Sequence, residues 1–477
     1  MAGILLSHSA KTKLKKLNIV SSSTTKLSGV IDTSGLTNLI DFTLSASGVT
    51  NFKGGTNLES IELHQNQLLS FPTLSACSNL RILKVNNDNR LSSNLTSFSA
   101  NNLLETLDLS DNSITGNLPD FKLLPVLNFA DFRNNNFRGD IPALTGNPDL
   151  NQFYVNGNNS LSGFLPELSA CPELVNINIT QIGLSGSFHD FSKTPKLQTY
   201  HASRNDIRGS LPVLSATPDI ITADFSVNNL SGPIPSLVFN TSLKIFKSYS
   251  NDNISGTFPE FPALNTNFEI FDARNNDLSG SLNPLSSTPN LKQLIGAHNP
   301  GGITGPLPEF SAAPNLEKFE FTGHQLQGNI PNLSNNTELQ HFNVNSNALS
   351  GLFPHIKNCT KLINLRFNDN ASKKGSPGIS GDVPTISACT TLKTFDIADN
   401  ILTGFAGGSF PASLENIQAQ GNNLTAAAIN AMLAALVAAG ATNKTCNFGG
   451  AGNATPTGQG LTDKATLISR GWSVTTN

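Results

Sequence analysis

Charge is scarce in this sequence. Asp, Glu, Lys and Arg make up 13% of the 477 residues, and the formal net charge is −3. That leaves no basic footprint for nucleic acid or an anionic membrane. Long apolar runs are missing as well. Nothing approaches the roughly 18 residues of a membrane span, and the alanine-rich stretch from Thr425 to Ala439 amounts to about four helical turns. The N-terminal patch Ile4-Leu5-Leu6 is shorter than a signal-peptide core, and its Lys residues follow it, so no Sec export route is expected. The eight His are scattered, with no His-Glu-x-x-His or Cys-x-x-Cys spacing, so neither a metal site nor a cofactor is expected. No Gly-rich segment precedes a long helix, which removes phosphate cradles.

Cysteine is sparse, and its number is odd, at five. Cys77, Cys171, Cys359 and Cys389 each lie three residues before Leu80, Leu174, Leu362 and Leu392. A single recurring position takes all four, which suits a small buried residue. Cys359 and Cys389 fall in adjacent repeats, but sequence alone does not fix their Cβ directions, and no disulfide is assigned. Cys446 lies outside this pattern.

What the sequence does have is a period. Leu104-Glu-Thr-Leu107-Asp-Leu109-Ser-Asp-Asn112-Ser-Ile114-Thr-Gly116-Asn-Leu118-Pro119 sets the pattern, and copies return mostly 23 residues apart. Anchors fall at Leu14, Leu39, Leu58, Leu80, Leu104, Leu127, Leu150, Leu174, Leu197, Ile220, Leu243, Phe268, Leu291, Leu316, Leu339, Leu362, Leu392 and Leu414, which makes 18 copies. One copy cannot bury its leucines alone, so copies must stack and share a core. The Leu-x-x-Leu-x-Leu segment is a short strand with alternate residues inward. Eight residues after the anchor comes Asn in 13 of the copies. An inward Asn there can satisfy backbone groups where the chain leaves the strand, giving an Asn ladder. Ser22, Ser47, Asp88, Ile182 and His324 depart from it, and a locally different turn is expected at each. The first four copies vary in length, as terminal repeats do. Asn299-Pro-Gly-Gly-Ile303 and the basic stretch Asn370 to Ile379 read as insertions protruding beside the strand exit.

This pattern resembles the leucine-rich-repeat family. Ile207-Arg-Gly209-Ser-Leu211-Pro212 and Leu230-Ser-Gly232-Pro-Ile234-Pro235 are similar to its plant-type subclass. The resemblance implies a solenoid with a parallel β-sheet on the concave face, short second-sheet strands, and 3-10 or irregular segments on the convex side. The paired-cysteine caps of extracellular members have no counterpart in the sequence. The domain reading is a segment 1–13 for attachment or capping, the solenoid over 14–424, and a small α/β C-terminal cap over 425–477. In that last part, apolar residues at 429, 432, 433, 436 and 437 have a helical period. Thr445 to Phe448 reads as a strand, Thr462 to Arg470 as a short helix. Ala434 to Gly440, Gly460 to Leu467 and Arg470 to Val474 together resemble closing modules of virion and tail proteins of tailed bacteriophages. That implies a virion-exterior protein, a place reached without an export signal.

Side chains at anchor +2, +4 and +6 face outward. Their central column is varied and polar, which suits recognition of an extended partner. Asp108 and Asp131 fall on adjacent strands. Such a pair could serve glycoside hydrolysis or hold Ca²⁺, but Arg133 is near enough to pair with them and a shallow face excludes little water. No catalytic residue is assigned. Asp108, Asp131, Arg133, Tyr154, His201, Asp224, Lys247 and Tyr249 form the candidate ligand patch, because two of the three Tyr reach this face among polar neighbours. The expected function is non-enzymatic: a tail-fibre or capsid-surface protein binding virion proteins, or a host-surface glycan or protein, oligomeric through virion symmetry, with no nucleic acid and no membrane insertion. The alternatives are a bacterial surface or effector protein that binds host proteins, secreted by a non-Sec route, and a purely structural decoration protein.

Overall fold

The computed structural model describes residues 13–21, 27–87, 90–261, 265–285, 288–371 and 375–477. Of the expected attachment segment only Lys13 falls among them. The chain divides into two compact units, Met1–Leu230 and Ser231–Asn477.

In the first unit every anchor from Leu14 to Ile220 opens a strand. The series runs from Lys16–Val20 through Thr106–Asp108, Phe129–Asp131 and Gln152–Tyr154 to Thr222–Asp224. Neighbours pair in parallel and in register, so that Leu107 stands beside Ala130 and Ala130 beside Phe153. The middle residue of each short strand points inward and is buried, while its flanks are half-exposed in most copies. Strand alternation explains this pattern directly. Leu104, Leu107 and Leu109 are all fully buried, and each contributes about 1.5–3 kcal/mol by leaving water. The second unit repeats the scheme from Ile245–Lys247 to Asn416–Gln418. Two further strands from the tail, Thr445–Asn447 and Ser473–Thr475, then join in parallel. The fold is therefore the parallel β-solenoid that the repeat implies.

Inward residues compensate one another in size. Gly296 occupies an inward position that holds Leu109 in another copy, and a Cβ there would stand 2.4 Å from the Phe321 ring. The missing side chain makes room for the next coil's aromatic ring.

The Asn ladder is a set of inter-coil staples. Asn135 donates from Nδ2 to the carbonyls of Leu109 at 2.8 Å in the preceding coil, and of Phe132 and Arg133 at 3.1 and 3.2 Å in its own. Its Oδ1 accepts the Ile114 N–H at 2.9 Å. Asn400 does the same in the second unit, reaching Phe367, Ile397 and Ala398 and accepting from Ile379. The residue before the Asn is left-handed even where it is neither Gly nor Asn, as at Arg204 and Val227 with φ of 61° and 56°. The expected change of turn at the departures is not found at Ser47, Ile182 or His324. Ala46, Gln181 and Gly323 keep the left-handed residue, with φ of 54°, 56° and 77°. At His324 the ring supplies the staple to the preceding coil, whereas Ile182 has no polar atom to do so and is held instead by Asn205 of the following coil. His324 Nε2 donates to the Gly296 carbonyl at 2.8 Å, and Asn205 Oδ1 accepts the Ile182 N–H at 3.2 Å. Ser22 and Asp88 lie outside the described residues.

A second ladder runs three residues before the anchor. The buried cysteines expected there are found, all as thiols. In other coils the same place is taken by Asn101, Asn147, Asn265 and Asn336, or by Thr194 and Thr288, all buried. Asn336 Nδ2 donates to the carbonyls of Phe310 and Ala313 at 3.1 and 2.9 Å, and Cys359 Sγ points at the Leu333 carbonyl at 3.1 Å. Asn336 and Cys359 thus serve carbonyls of the preceding coil, whereas the Thr194 and Thr288 hydroxyls donate to Phe191 and Leu285 in their own.

The second-sheet strands are present. In the second unit they run from Asn253–Thr257 to Ile401–Phe405. Short 3-10 turns follow at Phe121–Leu123, Phe191–Lys193, Leu214–Ala216 and Phe310–Ala312. The Asn299 insertion closes as a turn, with the Gly302 N–H on the Asn299 carbonyl. Of the basic insertion, Ser372, Lys373 and Lys374 lie outside the described residues.

The tail forms a helix over Ala426–Ala438, capped by Thr425, with Ile429, Met432, Leu433 and Leu436 buried. It packs on a second helix, Gln459–Ser469, and on the strand Ile401–Phe405. Asn453 extends the Asn ladder, donating to Ala419 and Phe448 while accepting the Leu424 N–H. No helix among the described residues is long and apolar enough to cross a membrane.

Candidate functional site

The strands present their +4 side chains as a column. In the first unit the register aligns Asp108, Asp131, Tyr154, Asn178, His201 and Asp224 on consecutive strands. Asp108, Asp131 and Tyr154 are thus brought together, with Arg133 beside them. His201 and Asp224 pair farther along, past the Asn178 strand. Lys247 and Tyr249 belong to the second unit.

The acidic members of this column are engaged by their own turns. Asp108 Oδ1 accepts the Ser110 N–H at 3.0 Å and its hydroxyl at 2.6 Å, while Oδ2 accepts from Asn86 at 2.7 Å. Asp131 Oδ1 accepts the Arg133 N–H at 3.0 Å, and Oδ2 stands 3.3 Å from the Arg133 guanidinium. Asp224 and Asn178 likewise accept the N–H two residues on, from Ser226 and Thr180. A carboxylate or amide at +4 therefore closes the strand exit as an Asx turn. This explains the many Asp and Asn there without a ligand.

Asp131 differs in burial, being 2% exposed. Desolvation pushes its carboxyl up to about 6; the Asp108 charge acts in the same direction and Arg133 opposes both. Tyr154 donates to Gln152 Oε1 at 2.9 Å, and burial, then the Asp131 charge, raises its phenol. Glycosidic chemistry needs one acid and one base or nucleophile facing substrate. Here the oxygens of both carboxylates are held by Ser110, Asn86 and Arg133. Among the described residues no three His, Cys, Asp or Glu side chains are grouped to hold a metal ion.

The second unit contains a close copy of the Asp131 corner. Asp272 Oδ1 accepts the Arg274 N–H at 3.3 Å, and Oδ2 stands 3.4 Å from the guanidinium. Arg274 in turn lies over the Tyr249 ring, with Cζ 4.9 Å from its centroid. Burial raises the Asp272 carboxyl, opposed by Arg274, Lys247 and Lys318. Lys247 and Tyr249 were expected on this face from the sequence; Arg274 was not. The signal was available: Asp-x-Arg-Asn-Asn occurs at 131–135 and again at 272–276.

No protein-family model matches the sequence, and no curated protein matches it. Solved structures do. The Arabidopsis receptor kinase HAESA, in complex with the peptide hormone IDA and the co-receptor SERK1, is 23% identical over 85% of this chain and 72% of its own, with a TM-score of 0.71. The PEPR1–AtPEP1 structure is 21% identical over 98% and 76%, with a TM-score of 0.70. YopM from Yersinia enterocolitica is 20% identical over 86% and 79%, with a TM-score of 0.51. This chain has the leucine-rich-repeat fold. At these identities the likeness extends to the scaffold alone. The outward column of this leucine-rich-repeat chain must be read from its own residues.

Proposed function

We propose that the chain is a non-enzymatic scaffold that binds a protein partner through the outward faces of its strands. One observation carries this reading. Stacking accounts for the leucines, the Asn ladder, the glycines and most of the +4 carboxylates, and Arg274 serves the buried Asp272, yet stacking does not demand Tyr154, His201, Lys247 or Tyr249 on the face. Residues that stacking does not require are the ones available for recognition. The test is site-specific photocrosslinking from Tyr154 in the first unit and Lys247 in the second, in the native host. A discrete protein adduct from at least one position is expected. Adduct-free chain from both would overturn the reading.

We place this scaffold on the exterior of a virion, assembled with other virion proteins and oligomeric through their symmetry. The support is the C-terminal sequence from Ala434 to Val474 and its resemblance to phage closing modules. Gold-labelled antibody on particles should mark symmetry-related positions. Label confined to the bacterial surface or the culture fluid would instead favour the surface or effector alternative, in which the same face binds a host protein.

A further inference from the structure

The second-sheet side of the first unit carries its own column of side chains. There the residue after each repeat glycine leans over the glycine of the next coil. Asn117 lies over Gly139, Asp140 over Gly163, Phe164 over Gly186 and Ser187 over Gly209. A Cβ on Gly163 would stand 2.4 Å from the Asp140 carboxylate, and one on Gly186 3.0 Å from the Phe164 ring. Each glycine thus leaves a bare backbone shelf for a side chain of the preceding coil. The strands Arg138–Asp140 and Ser160–Ser162 pair in parallel, and Phe164 bridges to Ser185. The column therefore advances about 4.8 Å per coil.

Its members are polar, with one exception. Phe164 is 73% exposed, between the exposed Asp140 and Ser187. Strand alternation sets Arg138, also exposed, on the same face as Asp140. Among the described residues the side chains of Asn117, Arg138, Asp140, Ser162 and Ser187 have no hydrogen bond or ion pair. Arg208 shows what would engage Arg138. It occupies the equivalent place in its coil and pairs with Asp206 at 3.1 Å, where the coil of Arg138 has Asn136.

The ring offers an apolar face to water. Around it stand an acceptor in Asp140, a donor in Arg138 and an amide in Asn117 that is both. One cation and one anion leave no net charge. The matching ligand has a flat apolar face, a rim of groups that both donate and accept, and no charge of its own. A sugar ring meets each demand. Its C–H groups suit the negative face of an aromatic ring, and its hydroxyls donate and accept alike.

We propose that Phe164, Asp140, Arg138 and Asn117 form a binding site for a neutral saccharide, one residue of which stacks on the Phe164 ring. Asp140 accepts from its hydroxyls and the Arg138 guanidinium donates to them. Asn117, one coil beyond Asp140, meets the next sugar residue. The site belongs to the second sheet, so it goes beyond the strand-face reading and stands whether or not Tyr154 gives a protein adduct.

The experiment is a screen of the full-length chain on an array of neutral and acidic oligosaccharides, followed by titration and saturation-transfer NMR with each sugar bound. Neutral saccharides should bind, and saturation should concentrate on the ring protons of one sugar face. Phe164→Ala should weaken binding about tenfold, as loss of a stacked ring does, while Phe164→Trp should keep or tighten it. Asp140→Ala should weaken it severalfold. Leu352→Ala, at the exposed residue that follows the repeat glycine in a coil of the second unit, should change nothing. All of these positions are exposed, so urea midpoints should stay at the wild-type value. No saccharide bound, a preference for acidic saccharides, binding indifferent to Phe164→Ala, or as large a loss in Phe164→Trp as in Phe164→Ala would each overturn the proposal.

Discussion

Replacing Asn135 is the sharpest test of how the coils are held together. In Asn135→Ala the Ile114 N–H loses the acceptor that spans the two coils, and the Phe132 and Arg133 carbonyls lose a donor. All three carbonyls keep another donor, Leu109 the Asn112 amide, Phe132 the Asn158 amide and Arg133 the Asp111 N–H, so their losses are partial and the Ile114 N–H dominates. One orphaned buried N–H costs about 1–3 kcal/mol, and each lost internal bond about 1 kcal/mol. The expected total is about 3 kcal/mol. Asn135→Asp refines the argument. An ionised carboxylate would keep the Ile114 acceptor but turn its second oxygen toward three carbonyls. Its folded pKa must then rise above the unfolded value of about 3.9. The penalty is thus fully present above the folded pKa and relieved as pH falls through it. Urea unfolding of the wild type and both variants, at pH 7 and pH 4.5, measures this. The Ala penalty should be nearly equal at the two values, and the Asp penalty should shrink at the lower one. Hydrogen exchange should show lost protection at the Ile114 amide. An Ala variant within 1 kcal/mol of wild type, or an Asp variant indifferent to pH, would refute the staple.

Three other outcomes follow from single residues. The Tyr200 hydroxyl is buried with no partner in an aromatic cluster with Phe188, Phe191 and Phe225, so Tyr200→Phe should raise stability by about 1 kcal/mol in urea unfolding; a loss would reveal a partner for it. Val227 is β-branched and left-handed at φ 56°, so Val227→Asn should stabilise by roughly 1 kcal/mol in the same assay, and an unchanged midpoint would count against strain there. The Asp131 carboxyl is raised to about 6, chiefly by burial. Its contribution is therefore favourable below the unfolded value of about 3.9 and is lost as pH rises through 6. The gap between wild type and Asp131→Asn should move by on the order of 2 kcal/mol between pH 4 and pH 7, and a constant gap would remove the desolvation argument.

The scaffold was legible because the repeat states the same demand many times. Leu at anchor, +3 and +5 and Asn at +8 are chemically similar from copy to copy, so the period reveals them. The ladder at −3 was hidden because Cys, Asn and Thr fill one position by different means. Only its cysteines drew attention, though Asn336 and Cys359 address equivalent carbonyls. His324 was seen as a departure, yet its ring reaches the backbone of the preceding coil as an Asn amide does elsewhere. The outward column was also legible, since strand alternation places it. What alternation does not reveal is the use each side chain makes of its surroundings. Asp108 and Asp131 looked like a pair, and their registered strands make them one, but their oxygens close turns. Asn117, Arg138 and Asp140 were unremarkable as letters, because lack of a partner is a property of three dimensions.

The staples have a mechanical consequence. Asn135 bonds backward to Leu109, 26 residues earlier, and Asn400 to Phe367, 33 earlier. Each coil is tied to the one before it and to nothing more distant through these bonds. Tension applied along such a chain loads one staple at a time. Within either unit, release of a 23-residue coil would free roughly 80 Å of extended chain before the next staple bears the load. The chain would lengthen in regular steps, and the same local ties that let copies add one upon another would let them come apart singly.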